Sequence, residues 1–285
     1  MDPRSWLLVP GDDDQKIAEA QQSEADALIF DLEDSVAYGR KAAAREALSK
    51  MLERRAGRAQ TWVRINSLQS EHYGADLACC EGLDLDGLVL PKAEDGAQVS
   101  RLATDVAEAG WKLHAIVAQT AASLFHLLSF RGSSRALVAM SWGVDDLSAA
   151  LGASSKFDAD GQLSFTYRMA RSLSLAGARA AGVQPVDAVY RDVEDQERLK
   201  REAEAARREG FTGKLAIHPS QAPIINAAFT PTSEEVAAAQ AIVDAFDKQP
   251  ETGVQRVGAR VVDRARLLQA SAILERARML GRSGE

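Results

Sequence analysis

The chain has 285 residues, 46% hydrophobic and 26% charged. That is the profile of an ordinary globular protein with room for one large domain or two small ones. It excludes a disordered chain, a collagen-like chain and a small disulfide scaffold. Lys and Arg number 34 against 41 Asp and Glu, a net charge of −7, so the bulk charge gives no reason to hold nucleic acid.

The N-terminal MDPRSWLLVPGDDDQK is not read as an export signal, because its apolar run from Trp6 to Val9 is short and acids follow at once. No stretch approaches the roughly 18 apolar residues of a membrane span, and no membrane partner is expected. Cys79 and Cys80 are adjacent. Neighbouring cysteines make no framework, so reduced thiols in a cytoplasmic protein are expected. With 4 His and no Cys-x-x-Cys, a structural zinc site is not expected.

Short apolar runs ending in polar or Gly/Pro clusters recur along the chain. The predicted strands are 6–9, 27–31, 61–65, 87–90, 113–118, 136–140, 185–190 and 214–218. They lack strict alternation, which fits strands buried on both faces. Helices are predicted at 41–56, 98–109, 165–181 and 193–209, stopping at Gly57, Gly110, Gly182 and Gly210. A Gly just past a helix accepts the left-handed C-terminal cap. Arg207 and Arg208 in the last turn of the fourth helix suit its dipole.

This alternation argues for a parallel α/β sheet. Eight strands before residue 219 favour a closed (β/α)8 TIM barrel, and no G-x-G-x-x-G follows the first strand. Two more helices are predicted at 233–247 and 265–280. The segment KQPETGVQRVG at 248–258 reads as a flexible connection between them, and the last helix as an appendage that packs elsewhere, such as on a neighbouring subunit. The expected division is a barrel catalytic domain over 1–230 and a C-terminal helical extension over 231–285.

Barrel enzymes carry their sites at the C-terminal ends of the strands. In chain order those ends offer Pro10-Gly11, then Asp31-Leu32-Glu33-Asp34, then Arg64 and Asn66, then Pro91-Lys92 and Glu94. Gln119-Thr120, Trp142-Gly143-Val144-Asp145-Asp146 and His218-Pro219 follow. Carboxylates gathered at one mouth need a cation, and oxygen-only ligands point to Mg2+. Blander roles exist for each. The acid runs suit helix N-termini, Arg64 could simply bridge to Glu33 or Asp34, and His218 could cap the last helix. Lys92 is open to a similar structural role.

Seven segments in this order resemble the citrate lyase beta-subunit-like proteins of the phosphoenolpyruvate-binding barrel superfamily. They are RSWLLVPG at 4–11, ADALIFDLEDSV at 25–36 with Lys41 and Arg45 after it, VRIN at 63–66, GLVLPKAE at 87–94, WGVDDLSAALG at 142–152, GFTGKLAIHPSQ at 210–221 and FTPTSEEV at 229–236. The resemblance implies a (β/α)8 barrel, often a homotrimer, that uses Mg2+ to cleave a 3-hydroxy-acyl-CoA thioester of the citryl, citramalyl or malyl type. The products would be an acyl-CoA and a 2-oxo acid. It implies that Arg64 binds the thioester carbonyl and the oxo acid, that Asp146 holds the metal, and that Glu33 and its neighbours orient metal-bound water. Asp31, Lys92, Gly143, Val144 and Asp145 would line the substrate site. Asp263 in the tail matches an aspartate that some relatives lend to a neighbouring subunit as acid/base.

One position departs from the family pattern. Glu-Thr-Ala is usual after the fifth strand, and its Glu is the second metal ligand. Here the segment reads Ala118-Gln119-Thr120-Ala121. Gln119 keeps a carbonyl oxygen but brings no charge, so Mg2+ affinity is expected to fall. Alternatives on the same site are thioester hydrolysis, a malate synthase-like condensation, and a non-catalytic acyl-CoA-binding barrel. A subunit of a citrate lyase-type complex that uses a carrier-protein thioester is a further one.

Overall fold

A computed structural model describes residues 2–52 and 57–281 of the chain. They form two compact units, residues 2–226 and residues from 227 onward. In the first, β1 (Ser5–Pro10), β2 (Ala27–Asp31), β3 (Gln60–Arg64), β4 (Gly87–Leu90), β5 (Lys112–Val117), β6 (Leu137–Trp142), β7 (Gln184–Asp187) and β8 (Gly213–Ala216) close into a barrel. Neighbouring strands are parallel, and β1 pairs with both β2 and β8. This is the predicted (β/α)8 architecture, with strand ends within a few residues of those expected.

The helices follow in alternation: α1 (Asp14–Gln21), α2 (Lys41–Leu52), α3 (Tyr73–Cys80), α4 (Gly96–Asp105), α5 (Ala121–His126), α6 (Val144–Ala150), α7 (Phe165–Ala181), α8 (Gln196–Glu209) and α9 (Gln221–Ala228). For α2, the expected residues 53–56 lie outside the described residues. The end of α7 is the predicted one, with Gly182 left-handed at φ 73° and its N–H bonded back to Ala178 and Arg179. The start of α8 falls at Gln196 rather than at 193 because the Asp195 side chain caps it, accepting from Arg198 N–H at 2.9 Å. Its buried residues are Leu199, Ala203 and Ala206, a helical face of small and apolar groups. α4 stops four residues short of the predicted end because Val106 already leaves the helical range at φ −114°.

Side chains alternate along each strand, and one alternate set forms the barrel interior. Trp6, Ala27, Ile29, Trp62, Val89, Ile116, Ala139, Val186 and Leu215 make one buried cluster fed by all eight strands. Trp6 and Trp62 meet edge-on at 5.0 Å. Gly87 makes room for them, since a Cβ there would fall 2.4 Å from the Trp62 ring. His114 also lies in this interior, edge-on to Trp6 at 4.7 Å and bonded to Ser141 at 2.8 Å. Burial holds its pKa down to about 3, so the ring stays neutral.

The other alternate set faces the helices. There Asp187 accepts from Trp142 Nε1 at 2.9 Å, Arg171 Nε at 2.9 Å and Lys214 Nζ at 3.1 Å. One carboxylate thus ties β6, β7, β8 and α7 together. Burial alone would raise its pKa, but Lys214 and Arg171 hold it well below the usual aspartate value.

The second unit contains α10 (Ser233–Lys248), β9 (Val254–Val257), β10 (Arg260–Asp263) and α11 (Arg264–Met279). A capping box of Thr232 and Glu235 opens α10. The segment expected to be a flexible connection instead holds a strand, because β9 pairs antiparallel with β10. Gly258, at φ 58°, supplies the first residue of a two-residue hairpin turn. α11 packs on α10 through Ala239, Ala270 and Leu274 rather than standing off as an appendage. No helix among the described residues is long and apolar enough to cross a membrane.

The Asp187 cluster gives a stability test. Asp187→Asn leaves Lys214, whose side chain is 2% exposed, without its counter-charge. Breaking such a pair should cost about 3–5 kcal/mol at pH 7 in denaturant unfolding. The folded pKa is depressed, so the carboxylate's contribution is fully present above the unfolded value of 3.8. The gap between wild type and variant should therefore narrow as the pH is lowered below that value.

Candidate active site

Strand pairing sets the mouth. Asp31 ends β2, Arg64 ends β3, and the two are direct partners in register. Both share the parity of the interior set, so their side chains converge at the top of the barrel. Arg64 grips Asp31 with a two-pronged fork, Nε to Oδ1 at 2.7 Å and Nη2 to Oδ2 at 2.5 Å. Asp31 also accepts the backbone N–H of Glu33 at 2.8 Å and of Ser35 at 2.9 Å. The bridge that the sequence assigned to Glu33 or Asp34 is made chiefly to Asp31, with Arg64 Nη1 at 3.4 Å from Glu33 Oε2.

Glu33 is 4% exposed. Lys92 Nζ holds its Oε1 and also reaches Asp34 Oδ1 at 3.0 Å. Its Oε2 makes no hydrogen bond although it is buried. The loop carrying Glu33 is pinned from below by Lys41, whose Nζ donates to the carbonyls of Leu32 and Glu33 at 2.8 and 2.7 Å and to Asn66 Oδ1 at 2.9 Å. Asp76, with no exposed surface, accepts from Asn66 and Arg45 in turn. Lys41 and Arg45 were visible in the sequence only as residues trailing the acid run. Asp76 was not singled out, and nothing in its local pattern marks it.

The far side of the mouth is built on Gln119. Its Oε1 accepts the Lys92 N–H at 2.6 Å, and its Nε2 donates to Asp146 Oδ2 at 2.9 Å. Two non-glycine residues among the described ones have positive φ, Lys92 at 51° and Ala118 at 52°, and both flank this amide. The left-handed conformation costs an L-residue about 1–2 kcal/mol, so the fold spends strain to aim Gln119. Gly143 lies against it, with Val144, Asp145 and Asp146 in the first turn of α6. Val144 is buried. Asp145 points elsewhere and is bound by Lys156 and, at 2.7 Å, by Arg191. His218 bonds Ser220 at 2.8 Å on the surface.

The electrostatics separate the acids. Burial would raise the Asp31 pKa, but Arg64 overrides it and the carboxyl sits below its usual value. Burial pushes Glu33 above its usual value, and Arg64 and Lys92 do not fully reverse this. Arg64 itself is held charged, because Asp31 and Glu33 outweigh its burial. Burial would lower Lys92, and Glu33 and Asp34 raise it instead. Burial would likewise raise Asp145, but Lys156 and Arg191 leave it depressed.

Asp263 belongs to the second unit, where its side chain caps α11 by accepting from Arg266 N–H at 2.9 Å. Among the described residues no group of three or more His, Cys, Asp or Glu is placed to hold a metal ion. A magnesium ion on this side of the mouth would have one carboxylate to rest on, Asp146, whose Oδ1 is not engaged by Gln119. That fits Mg2+, which commonly takes one or two carboxylates and keeps several waters. The buried, unbonded Oε2 of Glu33 is a further acceptor on the same rim.

A closed parallel barrel with a forked arginine and segregated acids at the C-terminal ends of its strands has the layout of a barrel enzyme. The chain belongs to the HpcH/HpaI aldolase/citrate lyase family, whose profile matches residues 4–219. A family of carbon–carbon bond lyases of the TIM-barrel fold matches residues 162–282. A (3S)-malyl-CoA thioesterase of Cereibacter sphaeroides is 33% identical over 99% of this chain and 96% of that protein. A citrate lyase subunit beta-like protein of Mycobacterium tuberculosis is 35% identical over 95% of this chain and 94% of its own length. The crystal structure of CitE from Mycobacterium tuberculosis with magnesium, acetoacetate and coenzyme A superposes with a TM-score of 0.82 at 36% identity, over 96% of this chain and 97% of that one.

The packing around Gln119 is testable. A Cβ on Gly143 would fall 2.5 Å from Gln119 Cγ and 3.3 Å from Asp146 Oδ2. Gly143→Ala should therefore displace the amide and destabilise the fold by about 1–3 kcal/mol, read as a lower denaturant midpoint. An unchanged midpoint would mean that the side chain has room to yield.

Proposed function

We propose that the chain is a Mg2+-dependent carbon–carbon lyase that cleaves a 3-hydroxy-acyl-CoA thioester of the malyl, citramalyl or citryl type into an acyl-CoA and a 2-oxo acid. The observation that carries this is the Arg64 fork. Asp31 locks the guanidinium in place, leaving Nη1 beside the unbonded oxygen of Glu33. A fixed cation beside an acid of raised pKa is the pair that an enolate-forming cleavage needs.

Each residue then has a task. Glu33 takes the proton of the 3-hydroxyl. The oxygen's electron pair becomes the carbonyl of the departing oxo acid as the carbon–carbon bond breaks. The pair from that bond moves onto the thioester oxygen, where Arg64 stabilises the negative charge. The enolate carbon then takes a proton, supplied in this reading by Asp263 of a neighbouring subunit in a homotrimer. Magnesium, held by Asp146, would act as a Lewis acid toward the oxo-acid oxygens. Lys92 keeps Glu33 aimed, and the Gly143-Val144 backbone walls the oxo-acid end. A cytoplasmic location accords with Cys79 and Cys80, both free thiols.

The malyl-CoA thioesterase relative gives a second reading weight, in which water attacks the thioester and free thiol is released. A product assay on malyl-, citramalyl- and citryl-CoA decides between them. Release of a 2-oxo acid with the thioester retained supports the lyase. Free thiol with no oxo acid supports hydrolysis.

Arg64→Lys keeps the charge and loses the fork. It should lower kcat/KM by about 10²–10³-fold with the fold intact by circular dichroism. Arg64→Ala is the less clean variant, because it strands Asp31, which is 1% exposed. Wild-type turnover in Arg64→Lys would refute the assigned role.

A further inference from the structure

Gln119 has two chemically different ends, and the structure fixes which end faces which way. The Lys92 N–H can only donate, so the atom 2.6 Å from it is the amide oxygen. The atom 2.9 Å from Asp146 Oδ2 is then the amide nitrogen, which donates. A glutamate at this position would present an oxygen on both sides, one to Lys92 N–H and one toward Asp146 with a cation between them. The amide cannot. Oδ2 of Asp146 is capped by that N–H, so a cation on Asp146 is left Oδ1 and finds no second ligand oxygen on Gln119.

Turning the amide over does not resolve this. It would set the NH2 group against the Lys92 N–H, donor against donor, beneath a backbone already held at φ 51°. Gly143 closes one side of the amide, since a single added Cβ there would lie 2.5 Å from Gln119 Cγ, and the bond to Lys92 N–H holds its oxygen. Asp146 is thus the one charged ligand on the Gln119 side of the mouth among the described residues, and no cluster of three ligating side chains exists among them. A hard cation held by one carboxylate and water needs further oxygen and further negative charge. A 2-oxo acid carries both, as a carboxylate next to a carbonyl that can chelate.

We infer that this chain binds the divalent cation and the 2-oxo acid as a coupled pair, and that Gln119 is the residue that sets the coupling. The inference rests on the oxo-acid chemistry proposed above and adds an order to it. The protein alone is a poor metal site, and the oxo acid completes it. Linkage then requires the metal to tighten the oxo acid by the same factor.

The test is binding of Mn2+, followed by loss of the free-ion electron paramagnetic resonance signal, with and without saturating pyruvate. Wild type should bind Mn2+ at least about tenfold more tightly when pyruvate is present, a coupling of ordinary size for linked sites. Gln119→Glu should bind Mn2+ alone at least about tenfold more tightly than wild type, the scale of change that metal-site neighbours produce. Its dependence on pyruvate should be smaller. Equal Mn2+ affinity in wild type with and without pyruvate overturns the inference, as does a folded Gln119→Glu that binds no more tightly. If Gln119→Glu does not fold, the wild-type comparison decides alone. Thioester cleavage measured in parallel separates the two claims. Turnover without coupling overturns this inference and leaves the lyase standing, whereas coupling without turnover of any 3-hydroxy-acyl-CoA does the reverse.

Discussion

The mouth of the barrel depends on the pair between Asp31 and Arg64. Two strands deliver the partners in register, and the planar guanidinium meets the carboxylate with two parallel hydrogen bonds. Such a buried pair is weak support for stability, because desolvation opposes the attraction. Its value is positional. Asp31 is further fixed by two backbone N–H groups, so the Arg64 head group cannot rotate, and its remaining nitrogen has one direction left to face. The acid next in line, Glu33, is thereby set beside a fixed positive charge while its own burial resists ionisation. Two carboxylates two residues apart thus sit on opposite sides of their usual pKa, Glu33 raised by burial that Arg64 and Lys92 do not fully reverse, Asp31 lowered because Arg64 and its hydrogen bonds overcome its burial.

Most of the fold was legible because it follows from repetition. Eight apolar runs alternating with glycine-stopped helices leave few topologies, and the closed barrel is one of them. The hairpin from 254 to 263 was missed although its signals were present. Val254 and Val257 flank polar residues, and Gly258-Ala259 is a two-residue turn led by glycine, but both were absorbed into a segment read by composition alone.

The site was legible as a set of residues and not as a set of pairings. Strand ends name Asp31, Glu33, Arg64, Lys92, Gln119 and Asp146, because chemistry at a barrel mouth must come from there. Which carboxylate holds Arg64 is a matter of register, and the register of a parallel pair is invisible in one strand. Asp76 illustrates the other limit. It sits in a helix among small residues, and its role of fastening Asn66 and Arg45 exists only once three distant segments meet. The substitution at Gln119 was plain in the sequence, but its meaning depends on which amide atom faces Asp146, and a backbone N–H contributed by Lys92 decides that.

Lys92 therefore joins two chemistries that are otherwise separate. Its side chain belongs to the acidic side, bound to Glu33 and Asp34, while its backbone N–H belongs to the Gln119 side. One residue can serve both because its backbone is left-handed at φ 51°, which turns the N–H away from the direction that an extended strand would give it. Strain of this kind persists only where the surroundings over-determine it. Here the backbone bond to Gln119 and the side-chain ion pairs to Glu33 and Asp34 do so, and the consequence is mechanical. A shift of the Glu33 loop would be felt through Lys92 at the amide that holds Asp146, so Glu33 and Asp146, on opposite sides of the mouth, are joined through one residue.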